Sequence, residues 1–408
     1  MTRPDRPWAA FRYRDYRLLW GTLLFGSVVL WLRILGTAQW LLDDTGSAMM
    51  VGLIGLVQLV VQIPALLWGG TLADRIDRKR LVIIANGITF CVMLAFGLLN
   101  LGGHLTPALV YLGIALAAAS QMLGSPSRSA LVAVAVPERH LMRAASSDTA
   151  TSNLAAIAGP LLFAAITLTA GLTAAFLTAA LLSLPALLLP IALRVSGYAA
   201  GGDRSAASTI SQTFEGLRYV ARHPILPGLF LLDTGITVVS FYREILPVLA
   251  LGMFYAGASA TGVLGAANSI GAVIGAFLAL FLAGYRAKGM LVLYASLAYG
   301  LVLFGFGTAG NLLLGALLIA LLGATDAITV TVRQTTVMLT TPDHMRGRAF
   351  SIMVLAAQTA NNVGTIWVGF WAGAIGAGNT MVLGGLLSLL ATCVIWRFWQ
   401  PIRAYRSP

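Results

Sequence analysis

Apolar stretches of about 20 residues recur along the whole chain, and about 20 residues is the length with which an α-helix crosses a bilayer. Short polar connections separate these stretches. The pattern therefore predicts an all-α polytopic membrane protein with about twelve transmembrane helices. The predicted spans are residues 17–42, 48–73, 80–102, 106–127, 147–169, 173–193, 225–250, 258–284, 288–308, 311–335, 348–376 and 378–398.

The composition supports this fold class. Apolar residue types make up 58% of the 408 residues and charged types only 10%, whereas soluble domains carry about 25% charged residues. The longest connection starts Gly-, Ala- and Ser-rich and then becomes amphipathic, which predicts a short helix at the membrane surface. The predicted organisation is a cytoplasmic N-terminal segment (1–16), an N-terminal six-helix bundle (17–193), a cytoplasmic linker with this helix (194–224), a C-terminal six-helix bundle (225–398) and a cytoplasmic tail (399–408).

The basic residues predict how the chain is oriented in the membrane. The net charge is +12 at pH 7, but the charges form short clusters between apolar stretches, which argues against nucleic acid as a partner. Of the 26 Lys and Arg residues, 24 lie in or next to the N-terminal segment, the C-terminal tail or every second connection. Such basic connections stay on the cytoplasmic side. We therefore expect a multi-pass protein of the inner membrane with both termini in the cytoplasm.

Matching residues in the two halves of the chain indicate an internal repeat. One offset of 205 relates Arg128, Pro137, Glu138, Arg143, Ala144 and Ser146 to Arg333, Pro342, Asp343, Arg348, Ala349 and Ser351. A second offset of 210 relates Trp31-Leu32-Arg33, Gly52 and Gly55 to Phe241-Tyr242-Arg243, Gly262 and Gly265. Two pseudo-symmetric six-helix bundles are an architecture typical of transporters.

The connection between predicted spans 2 and 3 carries the most informative motif. It reads Gly70-Thr71-Leu72-Ala73-Asp74-Arg75-Ile76-Asp77-Arg78-Lys79-Arg80. Glycine allows close approach of helices, and Asp74 can pair with an arginine or with the positive N-terminal end of a neighbouring helix. We interpret Gly70, Asp74, Arg75 and Arg78 as part of a cytoplasmic gate, and the alternative is a basic loop that anchors the chain at the membrane surface.

This connection resembles the corresponding loop of the major facilitator superfamily, G-x-L-A-D-R-x-G-R-[KR]. The matching residues are Gly70, Leu72, Ala73, Asp74, Arg75, Arg78 and Lys79, and the departure is Asp77, where most members have glycine. Within the superfamily, the chain resembles a branch of bacterial exporters similar to the enterobactin exporter and the macrolide efflux pumps. The residues that carry this resemblance are Asp77, Phe11-Arg12-Tyr13-Arg14-Asp15-Tyr16-Arg17-Leu18-Leu19-Trp20, Gly159-Pro160, Glu215-Gly216-Leu217-Arg218-Tyr219 and Arg222-His223-Pro224. The resemblance covers about residues 11–400 and does not indicate the cargo.

The resemblance implies the major facilitator fold, with two six-helix bundles around a central cavity lined by spans 1, 4, 7 and 10. It also implies alternating access, in which the cavity opens to one side of the membrane at a time. We expect the protein to function as a monomer in the lipid bilayer, with the proton gradient as its energy source and no cofactor or metal.

Five ionisable residues lie deep in predicted spans, and all five fall in spans 1, 7 and 10: Arg33, Asp233, Arg243, Glu244 and Asp326. Such residues are costly in lipid and usually border a transport pathway. Because burial disfavours the charged form of a carboxylate, a buried one can load a proton on one side and release it on the other. Asp326 is the first candidate for proton carrier and Asp233 the second.

The remaining ionisable residues, Arg33, Arg243 and Glu244, are candidates for contact with the substrate. Arg33 has an alternative role in a structural pair with Glu244 or Asp326. Arg243 and Glu244 lie just before Pro247, near the outer end of span 7, so snorkelling to the membrane surface is their alternative.

Uncharged polar residues in the spans add candidates for substrate contact, namely Gln39, Gln121, Tyr242, Gln358 and Asn361. Hydrogen bonds between helices are the alternative role of the amides, and anchoring at the interface is that of the tyrosine. Four arginines at or beyond the cytoplasmic ends of spans 4 and 10 are interpreted as gate residues: Arg128, Arg333, Arg346 and Arg348. For Arg128 and Arg333, contact with the cargo is the alternative.

Three functions remain open from the sequence. The first is proton-coupled export of a small amphipathic molecule such as a drug, a siderophore or another secondary metabolite. The second is uptake of a nutrient by a symporter or uniporter, and the third is a membrane partner or sensor that does not transport. We expect no enzymatic activity, because the sequence contains neither a P-loop nor a G-x-S-x-G nucleophile turn.

Overall fold

The computed structural model describes residues 8–195 and 206–407, with the side chains at positions 63, 65–75, 206–213 and 283 outside the description. The secondary structure of these residues is helical and includes no strand. This confirms the predicted all-α class. Gly70, Asp74 and Arg75 of the predicted gate fall in this group: their backbone lies in a helix, and their surroundings are outside the description.

The first half of the chain forms five long helices among the described residues. They are α1 (Arg14–Thr45), α2 (Ala48–Arg75), α3 (Arg78–Leu101), α4 (Pro107–Ala135) and α5 (Glu138–Leu188), with 3₁₀ turns at Ala9–Arg12 and Leu189–Ala192. α5 contains predicted spans 5 and 6, and its backbone breaks at Gly171, where φ is 78°. A side chain with a Cβ is strained at this φ, so a single glycine makes the turn between the two spans.

The second half of the chain forms nine helices among the described residues. They are α6 (Ala206–Arg222), α7 (Leu226–Ser240), α8 (Leu246–Phe254), α9 (Ala258–Phe281), α10 (Lys288–Gly307), α11 (Leu312–Thr340), α12 (Asp343–Ile375), α13 (Ala377–Phe398) and α14 (Gln400–Ala404), with a 3₁₀ turn at Leu282–Gly284. α6 is the amphipathic helix expected in the linker, and α7 and α8 together occupy predicted span 7.

Predicted span 7 is not the continuous helix expected over residues 225–250. α7 ends at Ser240, Phe241 has an extended backbone with ψ of 109°, and α8 begins at Leu246. Pro247 lies in the first turn of α8, where its missing N–H has no helical partner to lose. Inside a continuous helix the same proline would remove a hydrogen bond and clash with the preceding turn.

Eight helices within the described residues are long and apolar enough to span a membrane. One of them, Glu138–Ala192, has 55 residues and covers two predicted spans. α7 reaches this length and apolarity only when it is counted together with the end of α6, and the two helices are bent by 101° relative to each other. The structure thus confirms a polytopic helical protein, and the number of twelve spans stays a prediction.

The chain divides into two compact units. The first unit comprises Met1–Thr37 and Val60–Thr209, and the second unit comprises Ala38–Leu59 and Ile210–Pro408. The C-terminal end of α1 and the first half of α2 therefore belong to the second unit, although their sequence precedes the predicted linker.

Aromatic and acidic residues at the start of α1 hold the first unit together at one end. Tyr16 is fully buried, and its hydroxyl donates to the carbonyl oxygen of Ala144 at 3.1 Å. The Asp15 carboxylate accepts from the backbone N–H groups of Arg194, at 3.2 Å, and Val195, at 3.0 Å. These contacts join α1 to α5 and to the residues after it, which gives the motif at residues 11–20 a structural role.

Asp77, the residue that departs from the superfamily pattern, begins α3. Its side chain accepts a hydrogen bond from the backbone N–H of Lys79 at 2.8 Å. This is an N-cap, which satisfies one of the free N–H groups in the first turn of a helix. A glycine at the same position would lack this bond.

Within the second unit, α2 and α12 approach each other along glycines. A Cβ on Gly52 would lie 2.9 Å from the Cα of Gly369. A Cβ on Gly55 would clash with the carbonyl oxygen of Asn362 and lie 2.8 Å from the Cβ of Thr365. The first half of α2 is therefore seated on α12 at a distance that only glycine permits.

Candidate functional site

The second unit encloses a cavity of about 170 Å³ among α7, the segment after it, α10, α11 and α12. Four of the predicted site residues that carry charge line this second-unit cavity: Asp233, Arg243, Asp326 and Arg333. Asn361, a predicted substrate contact, also lines it. Charged residues of membrane-spanning segments are scarce, and their convergence on one cavity is typical of a transport pathway.

Two of the four charges form an ion pair across the cavity. Asp233 on α7 and Arg333 on α11 are in direct contact, and the Arg333 side chain is only 6% exposed. Removing one partner of a buried pair costs about 3–5 kcal/mol because the other charge is then uncompensated. Asp233 and Arg333, predicted as a proton carrier and a gate residue, are thus brought together in one structural pair.

Asp326 lies near the middle of α11 and is exposed to the cavity. Arg243, Tyr242 and Tyr299 line the same cavity. The Tyr299 hydroxyl donates to the Ser240 hydroxyl oxygen at 3.1 Å. The Asp326 carboxylate thus shares its cavity with an arginine and two tyrosines.

The break in span 7 directs consecutive side chains into different surroundings. Arg243 is exposed, and its guanidinium carbon lies 6.0 Å from the centre of the Phe241 ring, a distance typical of a cation–π contact. Tyr242 is buried and accepts a hydrogen bond from the Asn268 amide at 2.5 Å. Glu244 is buried outside the cavity lining and accepts from the Gln58 amide at 2.9 Å.

The first unit contains a cavity of about 180 Å³ among α1, α3 and α4. Arg33 is buried and lines it, and Arg33 Nη2 donates to the amide oxygen of Gln121 at 3.3 Å. Arg128 lines the same cavity and forms an ion pair with Asp148 of α5 at 2.9 Å. Asp148 also accepts from the Tyr16 hydroxyl at 3.2 Å. Two of the predicted substrate contacts, Arg33 and Gln121, therefore meet at this first-unit cavity.

The two cavities occupy corresponding places in the repeat. The offsets of 210 and 205 place Arg243 against Arg33, Asp326 against Gln121 and Arg333 against Arg128. In each unit an arginine of span 1 or 7 faces a polar residue in the middle of span 4 or 10, and a second arginine at the end of that span forms an ion pair. The partner of the first arginine is an amide in one unit and a carboxylate in the other.

Two further substrate candidates lie outside both cavity linings. Gln39 is buried, donates to Asp43 at 2.8 Å and accepts from the Thr261 hydroxyl of α9 at 2.9 Å. These contacts match the alternative role of an amide between helices. Gln358 is exposed on α12.

The described gate residues lie at helix ends and on the surface. Arg78 is half-buried at the first residue of α3. Arg346 forms an exposed ion pair with Asp343 at 2.6 Å. Arg348 pairs with Glu215 at 2.7 Å and so joins α12 to the amphipathic helix α6.

Sequence reasoning missed the acidic partners Asp148 and Glu215 and the tyrosine at position 299. Both acids lie at or beyond the predicted cytoplasmic ends of spans, where a charged residue is expected at the surface, so the sequence does not indicate that they form ion pairs. Tyr299 resembles any interfacial tyrosine in the sequence. Only the fold shows that its hydroxyl points at the break in span 7.

The sequence model of the Major Facilitator Superfamily matches residues 18–365 of this chain. The enterobactin exporter EntS of Citrobacter koseri is 28% identical over 364 residues, which cover 88% of this chain and 83% of that protein. EntS of Escherichia coli O81 is 27% identical over 363 residues, with 87% and 83% covered.

Solved transporter structures share the fold. The nucleoside transporter NupG, solved as a point mutant, has a TM-score of 0.78 at 12% identity, and the alignment covers 94% of this chain and 99% of that chain. A POT family transporter in complex with 5-aminolevulinic acid has a TM-score of 0.72 at 13% identity, with 96% and 97% covered. At such identities the likeness concerns the fold alone.

Proposed function

Because this chain belongs to the major facilitator superfamily of membrane transporters, we propose that it exports a small amphipathic molecule from the cytoplasm in exchange for protons. It is a multi-pass protein of the inner membrane. The proposed direction is supported by its similarity to enterobactin exporters, which cover most of the chain. In this proposal the protein acts as a monomer, uses the proton gradient as its energy source and has both termini in the cytoplasm.

The observation that carries proton coupling is the position of Asp326. This carboxylate is exposed to the second-unit cavity from the middle of a membrane-spanning helix and has Arg243 as its charged neighbour. Asp233, by contrast, is in direct contact with the buried Arg333. We therefore assign proton exchange to Asp326 and a structural role to Asp233.

Protonation of Asp326 changes its attraction for the neighbouring Arg243. A charged Asp326 attracts Arg243, whereas a neutral Asp326 leaves the guanidinium to other partners. Arg243 lies in the non-helical segment between α7 and α8, so a change in this attraction acts where the backbone of span 7 is interrupted. In the proposal, this coupling links the proton to the access state of the cavity.

Inverted membrane vesicles with an imposed proton gradient test both direction and coupling. An acidic lumen is established, and a panel of catecholates and hydrophobic drugs is added while lumenal pH and cargo uptake are followed together. An exporter that exchanges cargo for protons accumulates cargo inside these vesicles and makes the lumen less acidic. Uptake symport would instead move cargo and protons out of preloaded vesicles together.

The variant Asp326→Asn keeps the size of the side chain and removes its titration. We expect it to insert normally and to lose cargo accumulation driven by the gradient. Asp44→Asn is the matched control, because Asp44 is exposed at the end of α1 and lines neither cavity. Full gradient-driven accumulation by Asp326→Asn would overturn the assignment of the proton carrier.

A further inference from the structure

We propose that the outer face of α6, formed by Phe214, Leu217, Arg218, Ala221 and Arg222, binds anionic phospholipids at the membrane surface. The two arginines contact the headgroup phosphates, and the phenylalanine and leucine insert among the acyl chains beside them. Phosphatidylglycerol, with one negative charge, has the required chemistry. This inference goes beyond the transport function, because it concerns the lipid around the protein and holds whichever cargo is moved.

The direction of α6 is the first argument. Its described end, Phe214–Arg222, is bent by 101° from α7, the first part of predicted span 7. α7 packs closely against α13, a helix long and apolar enough to span the membrane, because a Cβ on Gly384 would clash with the carbonyl oxygen of Val239. Transmembrane helices tilt by about 20° on average. A helix at nearly a right angle to one of them therefore runs along the membrane surface.

The inner face of α6 is held against α12 and the end of α11. Gly216 is buried, and a Cβ in its place would lie 3.2 Å from the Cβ of Arg348. The Glu215 carboxylate forms its ion pair with the same arginine at 2.7 Å. The Tyr219 hydroxyl donates to the carbonyl oxygen of Thr340 at 3.5 Å. These contacts fix the rotation of α6 about its own axis, and so they determine which side chains point outward.

The outer face presents apolar and basic side chains next to each other. Phe214 is 66% exposed and Leu217 is 50% exposed, although both are large and apolar. Arg218 and Arg222 are also exposed, and within the part of the chain that the structure describes they form no ion pair. Phe214, Arg218 and Arg222 follow each other at intervals of four residues, which places them side by side on a helix. This arrangement is typical of a helix in the membrane interface, where apolar side chains enter the acyl boundary and basic ones reach the headgroups.

The charge of the outer face selects an anionic lipid. Glu215, the acidic residue of Phe214–Arg222, is engaged by Arg348, so the two outer arginines give this face a positive charge. A guanidinium donates two N–H groups in one plane to the oxygens of a phosphate. Two basic residues near an anionic surface favour the bound state by about 30-fold. A zwitterionic headgroup has no net charge and lacks most of this attraction.

A fluorescent label on α6 tests the proposal in the full-length protein. Cys91 and Cys393 are exposed and are replaced, and Ala221→Cys on the outer face carries an environment-sensitive dye. The protein is placed in nanodiscs of phosphatidylcholine, alone or mixed with phosphatidylglycerol, and quenching by uncharged acrylamide is measured. We expect weaker quenching with phosphatidylglycerol, because bound α6 shields the dye from water. Equal quenching in the two lipids would overturn the proposal.

Three pairs of substitutions examine the role of the arginines. Arg218→Gln with Arg222→Gln should remove the difference between the two lipids, because both charges are lost. Arg218→Lys with Arg222→Lys keeps the charges and should keep most of the difference. Arg14→Gln with Arg17→Gln is the control of equal net charge, at two exposed arginines in the first turn of α1, and should behave like the unmodified protein. A lipid difference that survives the glutamine pair in α6, or disappears in the control, would contradict the assignment.

Salt and free phosphate identify the partner further. In 1 M KCl the Debye length falls to about 3 Å, so we expect the difference between the lipids to shrink, and an undiminished difference would exclude an electrostatic origin. Inorganic phosphate added to phosphatidylcholine nanodiscs should leave quenching unchanged. If phosphate alone weakens quenching, the arginines form a site for a free anion and the lipid proposal fails. These measurements involve no cargo, so a failure of the export proposal leaves this inference standing.

Discussion

The close contact between α2 and α12 gives a prediction about access to the cavity. We predict that, in alternating access, residues 38–59 separate from α12 in one state and pack against it in the other. Gly369→Ala places a methyl group in this contact. The new Cβ would clash with the Cα of Gly52 and lie 2.9 Å from its nitrogen and 3.0 Å from the carbonyl oxygen of Ala48.

The magnitude follows from the kind of atoms involved. All three are backbone atoms, so no side-chain rotation relieves the overlap, and overpacking of this kind costs about 1–3 kcal/mol. The packed arrangement should therefore lose about 5- to 150-fold in population relative to the separated one. Gly373→Ala, one turn further along α12, is the matched control because its Cβ would lie 4.0 Å from the nearest atom, the nitrogen of Met49.

Thiol labelling measures the separation. Thr365 is fully buried against Gly55, so Thr365→Cys reports when the two helices part. Cys91 and Cys393 are exposed and are replaced first. A membrane-impermeant maleimide should label this cysteine faster in Gly369→Ala than in Gly373→Ala, while both variants elute as single folded species. Equal labelling rates in the two variants would refute the reasoning that this contact biases the access state.

Two further predictions concern stability. Asp77→Ala removes the hydrogen bond to the N–H of Lys79 and should lower the free energy of unfolding by about 1 kcal/mol; an unchanged denaturation midpoint would contradict the cap. Burial lowers the pKa of His223, whose Nδ1 accepts from the N–H groups of Ile225 at 3.2 Å and Leu226 at 3.3 Å. The folded chain then binds fewer protons than the unfolded one, so stability contributed here is complete above about pH 6.5 and declines below it. Amide exchange between α6 and α7, corrected for its intrinsic pH dependence, should rise at low pH, and His223→Gln should abolish that rise; the same rise in the variant would exclude His223.

The positions of the helices were largely predictable because lipid imposes a single rule on every span. Residues enclosed by hydrocarbon must be apolar and helical, so length and hydropathy locate them. Span 7 departs from this rule at residues 241–245, where non-helical backbone adjoins a cavity. Pro247 indicates irregular backbone in span 7, but a proline inside a continuous, kinked span produces the same sequence.

Residues of the candidate site could be predicted only where a charged side chain lies deep in a span, because such residues are rare. Charged residues deep in spans stand out one by one, and this is why Asp233, Arg243 and Asp326 were identified. Their pairing depends on helix rotation and on contacts between distant segments, and hydropathy contains neither. The assignment of residues 38–59 to the second unit was hidden for the same reason, because sequence order gives no measure of which helix ends touch.

The repeat turns one difference between the cavities into a mechanistic argument. Gln121 and Asp326 occupy corresponding positions beside Arg33 and Arg243. An amide does not titrate, so in the proposed cycle the charge at position 121 of the first-unit cavity stays constant, whereas the charge of the second-unit cavity changes each time Asp326 gains or loses a proton. In the proposed mechanism, the cargo and the proton held by Asp326 are two ligands of one chain. By linkage, any effect of that proton on cargo affinity equals the effect of cargo on proton affinity.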